Sequence, residues 1–119
     1  MKLEDLEIYQ LSMEIGEKVW TVVEGWDYLS KRTIGTQLIR ATDSIAANIS
    51  EGFGRFHYKE AKQFSYYARG SLFETKTWLT KANKRRLIAD DEFMLIINKI
   101  DSLGVKLNNY LKSIGRNNK

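Results

Sequence analysis

An all-α chain is predicted by three features: no proline occurs, no stretch alternates polar and apolar residues in the rhythm of a strand, and apolar side chains recur every three or four positions. Four such patterns with short connections predict an antiparallel up-down-up-down four-helix bundle. The 119 residues suit a single domain with a modest core, residues 1–119, without linker or repeat.

The first helix carries two apolar stripes. Leu6, Tyr9, Met13, Gly16, Trp20 and Val23 form one, and Ile8, Leu11, Ile15, Val19, Val22 and Trp26 the other. Glu7, Gln10, Glu14, Glu17, Thr21 and Glu24 fill what remains, so this helix has more apolar surface than one bundle seam requires. The excess predicts burial on two sides and hence a homo-oligomer. Gly25 and the segment "WDYLSKRT" read as a turn. Ile34, Leu38, Ala41, Ile45, Asn48 and Gly52 then run down a second helix, which Gly52 and Gly54 are expected to stop in left-handed cap geometry.

Tyr58 to about Asn83 reads as a third helix with Ala61, Phe64, Ala68, Leu72, Thr75 and Leu79 inward. His57 takes its N-cap position, three before Glu60, and is a weaker cap than serine or aspartate. Asp90, Asp91 and Glu92 suit the positive end of a fourth helix, whose stripe Phe93, Ile96, Ile100, Leu103, Leu107, Tyr110, Ile114 keeps a heptad-like rhythm. The tail "GRNNK" reads as frayed.

Composition narrows the chemistry. The absence of cysteine excludes disulfides, thiol chemistry and zinc–thiolate sites, and a single histidine leaves carboxylates as the plentiful metal ligands. No metal motif is present and no cofactor is implied. Acids in "MKLEDLEIYQ" interrupt what would be the apolar region of a signal peptide, and no apolar run reaches membrane-spanning length, which predicts a cytoplasmic protein without a membrane partner. Charge is uneven: residues 1–74 carry 9 Lys/Arg against 11 Asp/Glu, whereas residues 75–119 carry 10 against 4. The basic second part admits RNA or DNA as a partner, although a solvated helix face is the commoner cause of such a count.

The segment "SIAANISEGFGR", Ser44 to Arg55, is the most distinctive. Ala41, Ser44, Ala46, Ala47 and Ser50 let a neighbouring helix approach closely, a packing role. Asn48 lies on the apolar stripe and needs hydrogen-bond partners. Glu51 falls at the negative end of its helix, where a carboxylate needs a cation. Arg55, Arg40 and Arg69 are the candidates, and a desolvated pair would be worth about 1 to 3 kcal/mol. Asn48, Glu51, Gly52, Gly54 and Arg55 thus form a structural motif.

Together with "LEIYQLSMEIGEKVW", "QLIRATDSIAANISEGFGR" and "KEAKQFSYYARGSLFETKTWL", this motif resembles the four-helix bundle proteins encoded in intervening sequences of bacterial 23S ribosomal RNA genes. The resemblance runs over nearly the whole chain and rests on S-I-x-A-N-I-x-E-G-x-G-R, reinforced by the G-S-L-x-E of Gly70 to Glu74. Ala46 stands where a proline is expected, and His57 where a serine cap is expected. The resemblance implies a homopentameric ring of bundles without established enzymatic activity. It extends more distantly to accessory bundle proteins of diversity-generating retroelements, similar pentamers that bind nucleic acid and the reverse transcriptase.

A second pattern bears on function. Lys59, Lys62, Tyr66, Arg69, Phe73 and Lys76 step along one side of the third helix, interleaving cations with rings. Phosphates would take the cations and unpaired bases would stack on the rings. The same stripe would equally serve as a subunit seam with the basic heads reaching water. The segment "KANKRR" adds Lys81, Lys84, Arg85 and Arg86, cations that the negative end of a helix attracts in any case. Catalysis has the least support. A metal-dependent nuclease would need converging carboxylates, with Asp43, Glu51 and Glu74 the available trio in no recognised spacing, and acid–base work by His57 would need a partner and a pocket. The expectation is a non-catalytic oligomer binding nucleic acid through basic surface, or else a scaffold for a protein partner.

Overall fold

The computed structural model describes residues 1–115, all of whose regular structure is helical; the expectation for the tail beyond Gly115, at 116–119, lies outside the described residues. After one tight turn at Leu3–Asp5 come α1 (Glu7–Glu24), α2 (Tyr28–Ser30), α3 (Thr36–Phe53), α4 (Tyr58–Lys84) and α5 (Asp90–Ser113). A π-helical turn, Lys31–Gly35, joins α2 to α3 without interruption, since Ser30, Lys31, Gly35 and Thr36 all keep right-handed helical dihedrals. The molecule is therefore a bundle of four long helical rods, 51 × 24 × 21 Å.

The second rod starts earlier than the sequence suggests. "WDYLSKRT" is not a turn; the connection is confined to Gly25, Trp26 and Asp27, and Asp27 caps the helix. Its carboxylate accepts hydrogen bonds from the Ser30 backbone N–H at 2.9 Å and the Ser30 hydroxyl at 2.8 Å. The signal was present as an Asp ahead of a helical run, obscured by the polar residues that follow. The backbone hydrogen bond from Ser30 holds the Asp27 carboxyl below its ordinary pKa of 3.8. Because the folded state then binds fewer protons than the unfolded chain, the cap stabilises above that pH range and its contribution fades as acid protonates it. Asp27→Ala is expected to lower the melting temperature at neutral pH, with the difference from wild type narrowing as the pH is brought to about 3.

The core forms where the four apolar stripes meet. Ile15, Val19, Leu38, Ile45, Leu79, Ile96, Ile100, Leu103 and Leu107 are almost wholly excluded from solvent. α1 packs against α3 and α5, and α4 packs against the same two helices. Ion pairs at 2.8 Å tie Glu7 to Lys106, Glu14 to Lys99, and Lys76 to Asp101. Far along the chain from its partner, the Trp26 indole N–H donates to the Leu87 carbonyl at 2.8 Å and pins the end of α1 to the α4–α5 connection.

Stripe by stripe, the inward residues expected of α3 and α4 are buried or half-buried. On α5 the buried line runs from Leu107 to Leu111, whereas Tyr110 and Ile114 lie at its margin. A straight helix has 3.6 residues per turn, so a strict heptad stripe drifts off the contact line after a few turns. On α1 the line through Ile8, Ile15 and Val19 faces the core, and Met13 and Trp20 of the other stripe remain exposed.

Glycine plays a different part at the end of α3 from the one expected. Gly52 lies inside the helix and Gly54 caps it with φ −79°, so neither adopts the left-handed conformation. The left-handed cap occurs instead at the end of α4, on Arg86 with φ 61°. The Leu87 N–H there reaches the Ala82 carbonyl at 2.9 Å and the Arg86 N–H the Asn83 carbonyl at 3.0 Å. This pairing is the Schellman arrangement, in which Arg86 stands where glycine is usual.

Candidate nucleic-acid interface

The residues of the "SIAANISEGFGR" motif build the corner between α3 and α4. The Asn48 amide donates to the Ser44 carbonyl at 2.8 Å, which satisfies a half-buried polar group within its own helix. Arg55 forms an ion pair and hydrogen bond with Glu51 one turn back, and its guanidinium lies 4.7 Å from the centroid of the Phe64 ring. A β-carbon on Gly52 would stand 3.1 Å from both the Ala61 carbonyl oxygen and Phe64 Cβ, so the helices meet there without room for a side chain. Of the three candidate arginines, Arg55 is the one that pairs with Glu51.

The pair is not desolvated: the side chains of Glu51 and Arg55 are 50% and 38% exposed. Exposed ion pairs spaced four apart on a helix contribute about 0.3 to 0.5 kcal/mol, well below the value for a buried site. Glu51→Gln is accordingly expected to shift the unfolding free energy by less than about 0.5 kcal/mol in denaturant titrations.

Along α4, Lys59, Lys62, Tyr66, Arg69 and Phe73 are all exposed, the two rings at 56% each. Lys76, the last member of the stripe, is half-buried and neutralised by Asp101 of α5. No carboxylate among the described residues pairs with Lys59, Lys62 or Arg69. The face continues onto α5, where Tyr66 and Arg69 line a shallow cleft of about 310 Å³ with Asn108, Leu111 and Lys112. Reading α4 alone missed Asn108 and Lys112. Their signal was weak, because a lysine near the carboxyl end of a helix already answers the helix dipole.

The basic segment at the other end of α4 is a separate feature. Lys81, Lys84, Arg85 and Arg86 are exposed. A recess of about 520 Å³ lies beside them, lined by Asn83, Lys84, Arg86, Ile88, Ala89 and Asp90. Asp90 contributes opposing charge and accepts from the Asn83 amide at 2.8 Å. From Lys59 to Lys84 the helix rises roughly 38 Å, so a single subunit does not bring the two basic groups together. The left-handed conformation of Arg86 costs about 1 to 2 kcal/mol relative to glycine. Arg86→Gly is therefore expected to raise the melting temperature, by the equivalent of about 1 kcal/mol.

The carboxylates of the nuclease trio go to different places. Asp43 faces Gly16 and Glu17 across the α1–α3 cleft, and burial together with the Glu17 charge raises its pKa. Glu51 pairs with Arg55, and Glu74 accepts from the Trp78 indole N–H at 3.3 Å. Among the described residues, no three His, Asp or Glu side chains are grouped to hold a metal ion. His57 caps α4 without a side-chain hydrogen bond, its ring edge-on to Phe56 at 5.2 Å. No helix of the described residues is long and apolar enough to cross a membrane.

Comparison with known proteins agrees with this architecture. Over 89% of its length the chain superposes on 99% of a crystal structure of a Bacteroides thetaiotaomicron protein described as of unknown function from the S23 ribosomal protein family, with a TM-score of 0.80 at 19% sequence identity. No similar protein of curated function was found. Residues 4–109 match the model of the 23S rRNA-intervening sequence protein family. That match takes in α1 to α4 and most of α5, and the chain belongs to the 23S rRNA-intervening sequence protein family.

Proposed function

We propose that the protein is a non-catalytic, cytoplasmic, oligomeric bundle that binds nucleic acid, RNA foremost, through its basic surface. The observation that carries the reading is the α4 face, on which Lys59, Lys62 and Arg69 lack carboxylate partners among the described residues and alternate with exposed Tyr66 and Phe73. Intramolecular ion pairing would quench such a face, whereas free cations beside rings suit phosphate and base. The rods are taken to run antiparallel, up-down-up-down. The pairing of Glu7 with Lys106 and Glu14 with Lys99 supports this, because the register falls on one helix as it rises on the other.

Assembly into a homo-oligomer, with five subunits as the family resemblance implies, is supported by Met13 and Trp20, which α1 leaves exposed. In a ring the cations of successive subunits would add to one field. Light scattering is expected to give a closed oligomer, and a clean monomer at micromolar concentration would overturn this part of the proposal.

Binding is tested by fluorescence anisotropy with labelled RNA over a salt titration. The wild type is expected to lose affinity with a log–log slope of about −0.7 to −0.9 per phosphate contact. Lys59→Glu/Lys62→Glu and Lys84→Glu/Arg85→Glu/Arg86→Glu, each verified to keep its oligomer, would locate the site by which of them abolishes the slope. If wild type binds nothing at low salt, a protein-binding scaffold becomes the better account.

A further inference from the structure

We infer that the α4–α5 cleft, together with the exposed α4 face that continues beyond it to Phe73, is a site for unpaired nucleotides, which stack on Tyr66 and Phe73 while Arg69 and Lys112 hold the flanking phosphates. The inference rests on the nucleic-acid reading and adds the class of ligand. A duplex needs only cations, since its bases are stacked inward about 3.4 Å apart along each strand and offer no ring face to the protein. Here two large rings are held in water, each 56% exposed, with Arg69 between them. Seven residues apart on one helix, they are offset by about 10 Å along its axis. That spacing fits bases splayed from one another and not bases in a continuous stack.

The cleft itself supplies the other contacts that a single strand requires. Lys112 lines it from α5 and Arg69 from α4, so cations come from two helices and can follow a backbone across the groove between them. Asn108 lines the same cleft and offers an amide donor and acceptor to the edge of a base. Among the described residues no ion pair engages Arg69 or Lys112. The charge beside the rings is thus available to a polyanion, and a neutral or basic peptide would leave it unanswered.

The experiment compares a short oligouridine RNA with an RNA duplex of equal length, by anisotropy over a potassium chloride titration, using the full-length oligomer. The single strand is expected to bind more tightly. Tyr66→Ala and Phe73→Ala should each weaken it about 5- to 150-fold without changing the salt slope, because stacking releases no counterions. Tyr66→Phe should retain the affinity. Lys112→Ala should instead flatten the slope by about 0.7.

Equal binding of the duplex, or an unchanged affinity in Tyr66→Ala, would overturn the inference while leaving salt-dependent nucleic-acid binding in place. Dissociation of the oligomer by Tyr66→Ala in light scattering would overturn it too, by making this face a subunit seam. Failure of both RNAs to bind at low salt would remove the inference together with the function it rests on.

Discussion

Gly52→Ala is expected to destabilise the protein by about 1 to 3 kcal/mol, the opposite of what a glycine-to-alanine change does in an ordinary helix. Alanine within α3 would by itself be favoured by roughly 0.5 to 1 kcal/mol, through the smaller entropy lost on folding. Against that, the new methyl would lie 3.1 Å from the Ala61 carbonyl oxygen and from Phe64 Cβ, and the carbonyl belongs to backbone that a helix cannot move freely. The relief available is a shift of α4 away from α3, which would loosen the buried contacts of Ala61 and Ser65. Gly70 supplies the control, because nothing lies within 4 Å of the position a β-carbon would take there. Gly70→Ala should therefore stabilise by about 0.5 to 1 kcal/mol. Denaturant unfolding of the two variants should give shifts of opposite sign. A stabilised Gly52→Ala would mean that the helices do not meet as closely as described.

Truncation in the middle of the core should have a still larger effect. Leu107→Ala removes a side chain with no exposure, on the line of α5 that includes Ile100 and Leu103. Loss of the transferred methylenes and the cavity left behind together cost about 2 to 5 kcal/mol for a buried leucine. For a domain of this size that corresponds to a fall in melting temperature of roughly 8 to 20 °C. The variant also bears on the proposed binding site, since Asn108 and Leu111, its neighbours on α5, line the cleft with Tyr66 and Arg69. If the truncated protein still folds at low temperature, the RNA affinity proposed above should fall by less than in Tyr66→Ala. A shift below about 1 kcal/mol would show that α5 is not held by the core as its burial implies.

The helical class and most of the buried stripes were legible in the residues alone, because burial against one layer imposes a period near 3.6 that apolar side chains cannot disguise. The stripe through Leu38 and Ile45 and the one through Ala68, Leu72 and Leu79 follow that rule. The need of Glu51 for a nearby arginine was equally a local matter, set by the end of its helix and answered one turn away. The tertiary structure decided what depends on a second element. Asp27 and the π-helical turn carry α3 back through a segment whose polar residues resemble a loop. Gly52 exists for the approach of α4 and not for a left-handed cap, while that cap fell to Arg86, whose side chain gives no hint of it. Lys76 was withdrawn from the basic stripe by Asp101, and Asn108 and Lys112 joined it from a helix more than 30 residues on. Spacing along one helix fixes which face a side chain occupies. Whether that face meets a carboxylate, a neighbouring backbone or water is set by helices distant in sequence, and those partners determine charge, packing and access at the candidate site.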